Sequence, residues 1–146
     1  MGMTREHHGI CYRILKRWRL INNEYVLLKD YNIQTNIKGL VLDLNPESRG
    51  RVHLCPTGTL IIFMGFWWNG PSNFTIDTKS SIRGSLVHDT LYRLLRVEAV
   101  PWWVRDYADA LLYRILLEDG MCGFRAMYWY KAVHEGGLSS ALPGGG

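Results

Sequence analysis

The stretch Ile82–Glu118, IRGSLVHDTLYRLLRVEAVPWWVRDYADALLYRILLE, decides how this chain folds. Apolar residues recur in it at helical spacing. Val87, Leu91, Leu94 and Leu95 form one stripe; Val104, Ala108, Leu111, Leu112, Ile115 and Leu116 form another. Thr78-Lys79-Ser80-Ser81 supplies capping candidates, so a first helix is expected over Ile82–Val97. Pro101 suits the first turn of a second helix, which runs to Glu118 and stops at Gly120. Only Glu98-Ala99-Val100 separates the two, so they are expected to fold back as an antiparallel αα-hairpin.

Residues equally far from the turn of such a hairpin face each other. With the turn centred between Glu98 and Ala99, His88 and Asp109 are such a pair. At about 100° of rotation per residue, both border the apolar stripes, which places imidazole and carboxylate at the margin of the helix interface. There Asp109 orients one ring nitrogen while the other acts as a base toward water. Tyr92 lies one turn beyond His88 on the same flank, within reach of Asp109. Asp89 points about 100° away from His88 and is free for another task, such as binding a hard cation. Plainer readings stand beside these. His88 also reads as a satisfied interface histidine, Asp109 as a partner of Arg105 one turn earlier, and Asp89 as a solvated surface charge.

Downstream, a third helix is expected over Phe124–Glu135, closed by Gly136-Gly137, with residues 137–146 as a flexible tail. Upstream of about residue 70 the pattern is extended. Glu24–Lys29, Ile37–Leu44, Arg51–Cys55 and Thr59–Met64 are short and rich in β-branched and aromatic residues. Asn22-Asn23, Asn45-Pro46 and Pro56-Thr57-Gly58 punctuate them as turns, and Arg51–Phe63 reads as a hairpin. The expected class is α+β: a small N-terminal antiparallel sheet (about residues 1–70) followed by three C-terminal helices (about 78–136). One domain is expected for the 146 residues.

Composition excludes other classes. Hydrophobic residues at 47% and charged residues at 21% exclude a globally disordered chain. No apolar run approaches the ~20 residues of a membrane-spanning helix, and MGMTREHHGICYR lacks the apolar core of a signal peptide. Seventeen basic against thirteen acidic residues favour anionic partners, nucleic acid or anionic lipid headgroups, without choosing between them. Cys11, Cys55 and Cys122 form no CxxC pair, which points to reduced, buried thiols and an intracellular setting. The Trp67-Trp68 and Trp102-Trp103 doublets read either as core or as anchors at a lipid–water interface. The basic, aromatic run Tyr12–Arg19 reads as an amphipathic surface element or as a phosphate contact. His7-His8 reads as a chance doublet. An HD-type metal phosphohydrolase is excluded, since it needs further His and Asp ligands and His53 falls in a strand-like segment.

His88-Asp89-Thr90-Leu91-Tyr92 followed by Ala108-Asp109 resembles the phospholipase A2 signature, HD-x-x-Y on one helix and an aspartate on the antiparallel next. It is most similar to the compact, disulfide-free phospholipase A2 domain of parvovirus capsids. Trp68–Asn73 looks like that family's calcium loop, with Ser72 where its second glycine stands. The resemblance implies His88 as the base, Asp109 and Tyr92 as its supports, and a calcium ion held by Asp89 with Asn69, Gly70 and Ser72. The implied substrate is a phospholipid sn-2 ester at a membrane surface. Trp68 to about Val133 is also similar to a little-characterised family of phage and bacterial proteins, through Gly70-Pro71-Ser72, Ile76-Asp77-Thr78, Arg83–Asp89 and Arg125-Ala126. That likeness implies a phage origin and a place in the virion or the host cytoplasm. It also implies an alternative role, a non-enzymatic component that binds other phage structural proteins and uses the same four residues as a structural network.

Overall fold

The computed structural model describes residues 4–18, 21–69 and 78–145. Internal contacts divide the chain into two compact units, residues 1–16 with 24–68 and residues 17–23 with 69–146. The fold is α+β, with antiparallel strands first and helices after.

Among the described residues the strands form two four-stranded sheets rather than one. β1 (Thr4–His7) pairs antiparallel with β2 (Ile10–Trp18), and His8-Gly9 between them take positive φ. Two left-handed turn residues match the right-handed twist of the flanking strands. β3 (Ile21–Leu27) and β8 (Trp67–Asn69) complete that sheet in the order β1-β2-β3-β8. β4 (Tyr31–Gln34), β5 (Leu42–Leu44), β6 (Val52–Leu54) and β7 (Thr59–Ile62) form the second, in the order β4-β7-β6-β5. Its neighbours are all antiparallel.

The expected Arg51–Phe63 hairpin is present, with Leu54 opposite Leu60. The expected strand Ile37–Leu44 is shorter than its apolar pattern, because only Leu42–Leu44 joins a ladder. Upstream of it, side chain and loop take the backbone bonds: Ile37 N donates to Thr35 Oγ1 and Gly39 N to the Pro56 carbonyl. Val52, Leu54, Leu60 and Ile62 are fully buried. Tyr12, Tyr25 and Trp68 pack as a second apolar group, Tyr25 and Trp68 with ring centroids 5.3 Å apart. Trp68 is therefore core, and Trp67 lies under the Arg49 guanidinium at 3.5 Å. Of the cysteines, all free, only Cys11 is buried; Cys122 is exposed, contrary to the expectation of buried thiols.

The helical unit contains α1 (Ile82–Arg96), α2 (Val104–Glu118), α3 (Gly123–Gly136) and a short α4 (Leu138–Ala141). α1 packs on α2 as the hairpin, α2 packs on α3, and α4 touches α1 and α3. Gly84 faces α2 so closely that a Cβ there would meet Leu112 Cδ1 at 2.9 Å, which lets the two helices approach. Arg83 spans the open end of the hairpin, donating from Nε to Asp119 and from Nη2 to Asp119 and Glu118. Arg96 Nη1 donates to the Ser140 carbonyl and so ties α4, inside the expected tail, to the end of α1.

The starts of α2 and α1 differ from the sequence reading, the first in position and the second in its capping. α2 begins at Val104, three residues after Pro101, because the Pro101 and Trp102 carbonyls close a separate turn onto Val104 and Arg105. Ser81 precedes α1 without capping it; its hydroxyl turns back to donate to the Thr78 carbonyl and accept from Thr78 N. Among the described residues no helix is long and apolar enough to cross a membrane.

Candidate active site

Asp109 is the centre of the site. It lies on the α1-facing flank of α2, and its side chain has no solvent exposure. An isolated carboxylate at such a position is strongly disfavoured, so its partners explain its presence. His88 Nε2 lies 2.7 Å from Oδ1, and the Tyr92 hydroxyl donates to the same oxygen at 2.8 Å. His134 Nδ1, from α3, lies 3.1 Å from Oδ2. The hairpin register read from the sequence is the one observed, with His88 opposite Asp109 and Tyr92 one turn on.

Burial pushes the Asp109 carboxyl up. The hydrogen bond and charge of His88, with the hydrogen bonds of Tyr92 and His134, outweigh it and hold the group below the ordinary carboxylate value. Burial, followed by the adjacent Asp109 charge, drives the Tyr92 hydroxyl well above its ordinary range, so it stays protonated and donates. An ionised carboxylate only accepts. His88 therefore carries its proton on Nε2 when neutral, and the lone pair falls on Nδ1. Among the described residues no group bonds to Nδ1. His88 is 14% exposed, its ring tilted over Tyr92 at 4.2 Å between centroids. This arrangement can take a proton from water at Nδ1 and stabilise the resulting imidazolium through Nε2.

Arg105 does not pair with Asp109, as the plainer reading had it. Its Nη2 donates to the His134 carbonyl, and its nearest acidic oxygen is on exposed Asp106 at 3.9 Å.

Of the sequence-predicted calcium set, the structure describes Asp89 and Asn69. Asp89 accepts from Arg93 Nε at 2.7 Å, and that arginine side chain is only 3% exposed. One of the two Asp89 oxygens is thus already paired with an arginine on its own helix. Asn69 ends β8, and Gly70 and Ser72 lie outside the described residues.

His134 is the residue that sequence reasoning missed. Its signal is of the same kind as that of His88, a histidine bordering the apolar stripe of its helix. Ala126 and Trp129 mark that stripe, buried against Leu112 and Leu116 with Val133 packed alongside. No family model, no curated protein and no solved structure matches the chain.

Proposed function

We propose that the protein is an ester hydrolase of the phospholipase A2 type, with His88 as its base. The observation that carries this reading is the 2.7 Å contact between His88 Nε2 and a buried, ionised Asp109. Nδ1 of His88 removes a proton from water as the water oxygen attacks the ester carbonyl. Asp109 holds the imidazolium, and Tyr92 occupies the remaining direction at Oδ1. When the tetrahedral intermediate collapses, the C–O bond to the alcohol breaks and His88 returns the proton to the departing oxygen. No step is assigned to calcium, because Asp89 is engaged by Arg93.

The choice of phospholipid rests on the HD-x-x-Y and Ala-Asp resemblance. Trp102 and Trp103 support it, being 49% and 50% exposed at the hairpin turn. Indole rings partition to the boundary between lipid and water. The test is hydrolysis of mixed zwitterionic and anionic phospholipid vesicles, with calcium and with chelator. The parent protein is expected to release fatty acid and lysophospholipid, and His88→Asn to lower the rate by about 10³-fold or more. Equal rates in parent and variant overturn the reading.

A second reading is favoured by one observation: Asp109 is completely buried with both oxygens satisfied, as in a structural network. Under it the protein is a non-enzymatic phage component that binds other phage structural proteins, and His88 serves the fold alone.

A further inference from the structure

Two donors converge on Oδ1 of Asp109, from His88 and Tyr92, both on α1. They satisfy that oxygen from one side. The second oxygen needs a donor of its own. Among the described residues its one partner is Nδ1 of His134, on α3. Without that bond Oδ2 is a buried acceptor with no donor, a state native structures rarely tolerate.

His134 is itself held from three directions. Its ring stacks on Tyr130, with centroids 5.4 Å apart and planes 14° from parallel, and Tyr130 in turn meets the edge of Tyr113 on α2. Its backbone carbonyl accepts from Arg105 Nη2. Its Nδ1 faces Asp109. A surface histidine with no assigned task does not need such fixing, and this one remains 39% exposed.

We propose that His134 is a positioning residue of the site: it completes the carboxylate from a third helix, braces Asp109 against rotation, and so steadies the acceptor on which the orientation of His88 depends. The inference rests on the reading of His88 as a base, and it makes that base dependent on the docking of α3. It also carries a mark of its own. A neutral histidine in water prefers the proton on Nε2, whereas His134 must carry it on Nδ1 to serve an acceptor-only carboxylate. His88 and His134 are therefore expected in opposite tautomers on one aspartate.

The experiment is a proton–nitrogen correlation spectrum of the histidine rings of the intact protein at about pH 8, above the usual imidazole range. It is read in the parent, His134→Asn and His134→Leu, beside vesicle hydrolysis. The parent is expected to show His88 as Nε2–H and His134 as Nδ1–H. His134→Asn places an amide nitrogen where Nδ1 was, so His88 keeps one tautomer and kcat stays within about threefold. His134→Leu removes the donor; the Nε2–H signal of His88 then shifts and broadens as Asp109 loosens, and kcat falls about 10- to 100-fold with little change in KM. An Nε2–H tautomer for His134 in the parent overturns the inference, as does an unaltered His88 spectrum in the Leu variant. If the Leu variant does not fold, the parent spectrum and the Asn variant still decide. If the parent hydrolyses no lipid, the hydrolase reading fails, while the tautomers continue to test the role of His134.

Discussion

His88 and Tyr92 lie one turn apart on α1 with ring centroids 4.2 Å apart, and both address the same oxygen of Asp109. One ring is positioned to exchange a proton. The other, its hydroxyl held protonated by burial and by the Asp109 charge, supports the acceptor. Removing one or the other therefore has different consequences.

Tyr92→Phe keeps the ring beside His88 and deletes the donor to a charged acceptor. Stability is expected to fall by about 1.5–3 kcal/mol, measured by urea unfolding, since hydrogen bonds to ionised groups lie in that range. A phenylalanine variant as stable as its parent would show that the hydroxyl does not support Asp109.

His88→Ala separates the hydrolase from the structural network. Active sites hold their working groups at a cost to stability, so a catalytic His88 is expected to be removed for less than about 1 kcal/mol, measured by urea unfolding. A loss near 3 kcal/mol assigns His88 to the fold.

The pH dependence of stability follows from two shifts of opposite sense. Asp109 sits below its ordinary value in the folded protein, so its contribution is present above about pH 4 and is lost as the pH falls through the folded value. Tyr92 is raised, so its contribution is present below about pH 10 and is lost as the pH rises beyond it. Urea midpoints are expected to fall at both ends. Asp109→Asn should flatten much of the acid limb; an unchanged acid limb in that variant removes Asp109 as its source.

Glu98 and Gly120 hold the same position in two copies of one helix-ending motif. After α1, Glu98 N donates to the Leu95 carbonyl and Ala99 N to that of Leu94; after α2, Gly120 N donates to Leu117 and Met121 N to Leu116. Both residues are left-handed, with φ of 58° and 95°. Glycine accepts that conformation without penalty and glutamate does not. Glu98→Gly is expected to stabilise the protein by about 1 kcal/mol, read as a rise in thermal midpoint. A fall in midpoint would place a stabilising role on the Glu98 side chain.

Asp89→Ala removes the acceptor of Arg93 Nε and is expected to cost about 1–3 kcal/mol. With Asp89 so engaged, millimolar calcium should leave the thermal midpoint of the parent unchanged. A calcium-dependent rise that disappears in Asp89→Asn would instead make Asp89 a calcium ligand.

Much of this was legible because helices carry their register in their own sequence. The apolar stripes of Ile82–Glu118 and the short connection at Glu98–Val100 determine that two helices fold back, and that His88 meets Asp109 with Tyr92 one turn away. Those relations depend on the period of the helix and on the residues nearest the turn, all of which the chain states locally.

Relations between elements joined by irregular chain were not stated locally. The approach of His134 to Asp109 depends on how Met121 and Cys122 lead α3 back along α2, and no periodicity specifies that path. Arg105 had Asp109 one turn on but donates to the His134 carbonyl on α3, and Asp89, readable as a solvated charge or a cation ligand, accepts from Arg93. The split of the strands into two sheets, with β8 joining β3 from far along the chain, was decided by long-range pairing that short strands do not encode. The sequence by itself determined the helical hairpin and its facing pair; the tertiary structure decided which groups complete the carboxylate, because a buried charge is satisfied by whatever donors packing brings to it.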